Sequence, residues 1–155
     1  MCKKHATKEL IYGANGSGKS QMVRERMNKK GSYLFSFNDC FSKEFINQEA
    51  AENMFNMLTK KELKDIVSLS FSEKLIAMFC YELEAILEME QPYTRLFIDG
   101  FPFEMDIKTL DNFFSLFDYL NSLGFKVVVT TCKKSIRDRC HELYDDDPNF
   151  KFVEL

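Results

Sequence analysis

Tryptophan is absent from this sequence, so the aromatic part of any core falls to sixteen phenylalanines and six tyrosines. A basic excess is absent too: 21 lysines and arginines stand against 24 aspartates and glutamates, a formal charge of −3. That balance lacks the positive footprint that non-specific nucleic-acid binding requires. No apolar run approaches the ~20 residues that span a bilayer. The opening Met1-Cys2-Lys3-Lys4-His5 leads into Lys8-Glu9 with no apolar signal segment, and the expectation is a cytoplasmic protein with no membrane partner. The five cysteines, at 2, 40, 80, 132 and 140, form no CxxC pair. A zinc knuckle and a disulfide framework are therefore not expected, and a reducing compartment fits. His5 and His141 have no companion ligands at metal-binding spacing. What remains is an ordinary globular composition, 45% apolar and 29% charged over 155 residues, long enough to bury a core.

Only three prolines and six glycines punctuate the chain, and three of the glycines fall between positions 13 and 18. Around them, apolar runs and helical patterns alternate in the manner of a parallel sheet with crossover helices. Leu10-Ile11-Tyr12 is a short strand ending at Gly13, followed by a polar-faced helix over about 19–28. Tyr33 to Phe37 reads as a second strand. The stretch 42–70 reads as broken helix, a small helical lobe within one domain spanning 1–155, with Thr59-Lys60-Lys61-Glu62 spaced to cap a new short helix. Ser70-Phe71-Ser72-Glu73 has the same spacing and opens a helix to about Glu88, whose apolar residues wrap most of its circumference. Arg95 to Asp99 is a buried strand ending in an acid. Asp106 caps the next helix, Gly124 stops it, and Lys126 to Thr131, with three consecutive valines, is a further strand. A helix near 135–143, an acidic turn at 145–147 and a short edge strand near 151–153 complete the pattern.

Gly13-Ala14-Asn15-Gly16-Ser17-Gly18-Lys19-Ser20 satisfies the phosphate-loop (Walker A) pattern G-x-x-x-x-G-K-[ST] without mismatch, between a strand and a helix as the motif demands. Glycines at positive φ turn several N–H groups toward one anion. The helix N-terminus behind them adds partial positive charge. Lys19 brings a mobile cation for the β- and γ-phosphates, and the Ser20 hydroxyl can ligate Mg²⁺. Asp99, closing an apolar strand, is the candidate carboxylate partner for that Mg²⁺.

Two families resemble the surroundings of Asp99. Asp99-Gly100-Phe101-Pro102 is similar to the signature of adenylate kinases and related nucleoside-monophosphate kinases, although Phe103 stands where that family has arginine. That resemblance implies phosphate-clamping roles for Arg137 and Arg139. The second resemblance extends from about Glu9 to Phe152. Leu69-Ser70-Phe71-Ser72-Glu73-Lys74 before a long apolar helix resembles the L-S-G-G-E-K signature of ABC-type ATPases, especially the SMC-like and anticodon-nuclease-associated forms. Asp99 and Asp106 fall on the ends of that family's D-E-P-x-S-x-L-D string, Cys132 on its switch histidine, and Phe37-Asn38-Asp39 resembles its Q-loop segment.

The ABC-type resemblance implies an α/β P-loop NTPase fold, a mainly parallel sheet flanked by helices with a reduced helical lobe. It implies binding of ATP and Mg²⁺, and a head-to-tail, ATP-dependent homodimer, or pairing with an effector chain, in which Ser70 contacts the opposite γ-phosphate. Position 100, where the family carries its catalytic glutamate, is glycine, and Cys132 is a weak donor in place of histidine. General-base assistance is worth ~10²–10⁴ in rate, so slow or partner-dependent hydrolysis is expected with binding retained. Glu104 is the nearest acid that could compensate, Asp39 a further one. The alternatives are a nucleoside-monophosphate-type kinase and a non-hydrolysing ATP-binding regulatory module. Lys60, Lys61, Lys64 and Lys74 read as a solvated helix face, and Cys132 as a small thiol at the core edge.

Overall fold

The computed structural model describes residues 8–14, 16–27, 31–36, 49–60, 70–88, 94–101 and 106–155. In chain order these form β1 (Lys8–Tyr12), α1 (Lys19–Arg26), β2 (Ser32–Ser36), α2 (Glu49–Thr59), α3 (Phe71–Glu88), β3 (Arg95–Phe101), α4 (Ile107–Ser122), β4 (Lys126–Thr131), α5 (Lys134–Tyr144) and β5 (Phe150–Glu154). The five strands make one sheet in the order β2-β3-β4-β1-β5, and every neighbouring pair is parallel. The strand bearing the phosphate-loop motif and the strand bearing Asp99 are thus not neighbours. β4 lies between them.

Strand periodicity divides the core between the two faces of the sheet. Leu10, Phe35, Leu96, Ile98, Val127 and Val129 face one way and join α2, α3, α4 and α5 in a large core. Ile11, Phe97 and Val128 face the other way and pack on Val23 of α1, with Met22, Met27, Leu34 and Val153 at the margin. Both faces of β4 are covered, which is why Val127-Val128-Val129 shows no alternation.

On the crowded face the phenylalanines do the packing. Phe79 of α3 meets Phe35 edge-on at 5.0 Å and Phe113 of α4 at 5.7 Å. α3 is buried over six consecutive residues, Leu75 to Cys80, as its all-round apolar pattern requires. The stretch expected to form a small helical lobe within the domain contributes α2, whose Phe55 and Leu58 are fully buried in this same core. The Asn112 side chain donates to Leu58 O at 3.0 Å, tying α2 to α4.

Local signals account for the helix ends. Ser70 and Glu73 form a reciprocal capping box: Glu73 N–H donates to Ser70 Oγ at 3.2 Å and Ser70 N–H to Glu73 Oε1 at 3.0 Å. Asp106 caps α4 by accepting from Thr109 N–H at 2.8 Å, and Gly124 leaves that helix at φ 103°. Thr59 is the last residue of α2, and its hydroxyl donates back to Phe55 O at 2.8 Å. Lys60 follows at φ 60°, so this end of α2 closes without a glycine, and Lys61 and Glu62 lie outside the described residues. Among the described residues no helix is long and apolar enough to cross a membrane.

Candidate functional site

β1 delivers the chain to the carboxyl edge of the sheet, where Gly13 N–H still bonds to Thr131 O of β4 at 3.2 Å. The loop then folds on itself, with Ser17 N–H donating to Ala14 O at 3.1 Å. Gly16 and Gly18 sit at φ 81° and 94°, the left-handed region that side chains avoid. Gly13 is needed for a different reason. A Cβ there would come within 2.4 Å of Ser17 Oγ and 3.2 Å of Leu155 Cβ. Gly18 is also the N-cap of α1, so the exposed amides of that helix begin at the loop's end. Asn15, predicted as part of the loop, lies outside the described residues.

Lys19 curls over the loop. Its ammonium donates to Gly13 O at 2.6 Å and Ala14 O at 2.8 Å, with Ser17 Oγ at 3.5 Å. The cation is held where the loop's glycines gather, by carbonyls rather than by a carboxylate, so its charge is not cancelled there. The next residue points elsewhere: Ser20 Oγ donates to Asp99 Oδ2 at 3.0 Å. The hydroxyl and the carboxylate expected to share a metal are therefore in direct contact. Asp99 is buried on β3, 8% exposed, with Oδ2 turned to Ser20 behind the loop.

A third residue completes this contact, and sequence reasoning did not select it. Thr130 of β4, fully buried, donates its hydroxyl proton to Asp99 Oδ1 and accepts from Gly100 N–H at 2.8 Å. The signal in the sequence is slight, a pair of threonines following the three valines of β4. Thr131 beside it turns the chain, its hydroxyl accepting from Lys133 N–H at 3.0 Å around the half-buried Cys132.

The other predicted residues stand apart. Ser70 is exposed, spends its hydroxyl on the α3 capping box and does not join the Ser20–Asp99–Thr130 network. Glu104 and Asp39 lie outside the described residues, as do Asn38 and Phe37 of the Q-loop-like segment. Arg139 makes a two-pronged contact with Asp111 of α4, both arms at 2.8 Å, and reaches Glu142 at 2.7 Å. The guanidinium holds the Asp111 carboxyl below its usual range by hydrogen bonding and charge. Arg137 pairs with Asp138 and Glu154 and lies over the Tyr12 ring at 4.7 Å. Among the described residues no cluster of three or more His, Cys, Asp or Glu side chains could hold a metal unaided. A site made of one hydroxyl and one carboxylate suits a cation that draws its other ligands from phosphate and water.

No protein-family profile and no curated protein matches this sequence. Solved structures do match. The SMC head domain from Thermotoga maritima superposes with a TM-score of 0.57 at 14% identity, over 85% of this chain and 82% of that one. A bacterial ABC transporter cassette solved as a dimer gives 0.58 at 14% identity, over 99% and 84%. The ADP conformation of an ATP-binding cassette of an ABC transporter gives 0.53 at 14%, over 84% and 72%. The chain has the α/β fold of ABC-type P-loop ATPases. At this level of identity the likeness is one of backbone architecture.

Proposed function

We propose that this chain is a minimal ABC-type nucleotide-binding domain, one domain over 1–155, that binds Mg-ATP through Gly13 to Ser20 and Asp99. The observation that carries this is the 3.0 Å contact between Ser20 Oγ and Asp99 Oδ2, beside a glycine loop whose lysine is already held over it. The donors are hard oxygens, the set Mg²⁺ prefers. Gly13, Ala14, Asn15, Gly16, Ser17 and Gly18 would turn amides to the phosphates, Lys19 would pair with the β- and γ-phosphates, and Ser20 and Asp99 would hold the cation. When bound, Mg²⁺ neutralises charge on the phosphate oxygens.

Hydrolysis is slow or depends on a partner, because Gly100 offers no general base where one is expected. Glu104 is the compensating candidate. The productive form is a head-to-tail dimer, either of two copies or with an effector chain. There Ser70 and the first turn of α3 would face the γ-phosphate held by the opposite subunit; a cassette of similar fold has been solved as a dimer. ATP then acts as a reversible link between subunits. In the kinase alternative both arginines would have to leave present partners, Arg137 leaving Asp138 and Glu154 and Arg139 leaving Asp111 and Glu142.

The test combines mass measurement by light scattering, with and without Mg-ATP, with assays of phosphate release and of transfer to nucleoside monophosphates. ATP-dependent dimerisation lost in Ser70→Arg, with slow phosphate release and no transfer, is expected. A monomer that phosphorylates an acceptor overturns the proposal. Tight binding with neither turnover nor dimerisation leaves the non-hydrolysing regulatory module.

A further inference from the structure

β3 and β4 run in register as far as Ile98 opposite Val129, but the next pair is Phe101 opposite Thr131. Two residues of β3, Asp99 and Gly100, therefore face the single residue Thr130. This is a β-bulge, a device that re-aims side chains and gathers near functional sites. Gly100 makes it affordable by adopting φ 80°, where a residue with a Cβ is strained by about 1–2 kcal/mol.

The hydrogen bonds of the bulge are directional. Gly100 N–H donates to Thr130 Oγ1, so that oxygen faces the bulge with an acceptor site filled. The hydroxyl then has one proton to give, and it goes to Asp99 Oδ1. The remaining oxygen of Asp99, Oδ2, is the one that meets Ser20. With Thr130 fully buried, no solvent competes for either bond. One carboxylate oxygen is pinned from behind and the other presented to the loop.

We propose that Thr130 is the positioning residue for Asp99, its hydroxyl fixing the carboxylate rotor so that Oδ2 is offered to the cation of Mg-ATP. The proposal rests on the Mg-ATP reading and deepens it. Gly100 thereby acquires a role of its own. It supplies both the positive φ that forms the bulge and the N–H that orients the threonine.

The experiment titrates a fluorescent ATP analogue in Mg²⁺ and in EDTA against wild type, Thr130→Val and Thr130→Ser. Valine keeps the β-branched shape and removes the hydroxyl. Loss of an outer partner of a metal ligand costs about 10–100-fold in metal affinity. The Mg²⁺ concentration that half-maximally tightens binding should therefore rise about tenfold or more in Thr130→Val, while affinity in EDTA stays within about twofold, and Thr130→Ser should restore the wild-type response. If Thr130→Val does not fold, Thr130→Ala, which removes atoms and adds none, takes its place. An unchanged Mg²⁺ response in the hydroxyl-free variant overturns the inference, as does an equal loss with and without Mg²⁺, or a serine that fails to rescue. A wild-type chain whose ATP affinity ignores Mg²⁺ overturns the Mg-ATP reading itself, and the inference with it.

Discussion

Ser20 and Asp99 lie 79 positions apart in the sequence and are joined by a hydrogen bond of 3.0 Å. The pair separates two contributions to nucleotide binding that differ in their need for metal. Lys19→Ala removes a phosphate-facing cation and should weaken ATP binding at least tenfold in both Mg²⁺ and EDTA. Asp99→Asn keeps the shape of the site and should abolish only the strengthening by Mg²⁺. Isothermal titration in the two buffers distinguishes them, and equal behaviour of the two variants contradicts the assignment.

Placing a glutamate at position 100 is the obvious way to seek faster hydrolysis, and in this chain it should fail. Gly100 occupies φ 80° in the bulge, so Gly100→Glu has to strain the backbone or dissolve the bulge, at a cost of about 1–2 kcal/mol. The expected result is a lower midpoint in urea and no large gain in phosphate release. A hundredfold acceleration with unchanged stability would show that the bulge does not hold this residue.

Stability should decline on both the acid and the alkaline side. Asp106, whose carboxylate accepts the Thr109 N–H, and Asp111, beside Arg139, both titrate below their usual range in the fold. The unfolded chain therefore takes up protons first, and the stability these groups lend is present above about pH 4 and lost as pH falls through their lowered values. Cys80, Cys140 and Tyr144 are shifted upward, chiefly by burial. Here the unfolded chain loses protons first, so stability falls as pH rises beyond about 8.5. Thermal melts across pH, repeated with Asp106→Ala, check the acid limb. That variant should lose about 1 kcal/mol at neutral pH through its cap and show a shallower acid decline.

Arg139 discriminates the kinase alternative. Its fork is occupied by Asp111 and Glu142, an arrangement that fastens α5 to α4. Arg139→Met should lower the melting temperature and leave ATP affinity unchanged. A loss of phosphoryl transfer with the melting temperature intact would return Arg139 to the site.

The parts of the molecule that obey local physics were legible in the sequence. The phosphate loop follows from glycine spacing, the α3 and α4 starts from Ser70, Glu73 and Asp106 capping their own amides, and β4 from three valines in succession. Thr130 was not legible in this way. Its importance lies in a register slip between β3 and β4, and nothing local in either strand records which residues will face each other. Gly100 suffered from the same blindness: aligned by position it marks a missing acid, whereas its dihedral angle makes it the hinge of a bulge.

The strand order also governs when such a site can exist. β1, which carries the phosphate loop, pairs only with β4 and β5, both after residue 125, and Asp99 gains its Thr130 brace only when β4 has been inserted. Pairings this distant carry a high loop-closure cost and form slowly. The loop therefore acquires its seat late. A growing chain on the ribosome would expose the glycine motif long before it could grip a nucleotide, and competence to bind would arrive abruptly, with the closing of the sheet.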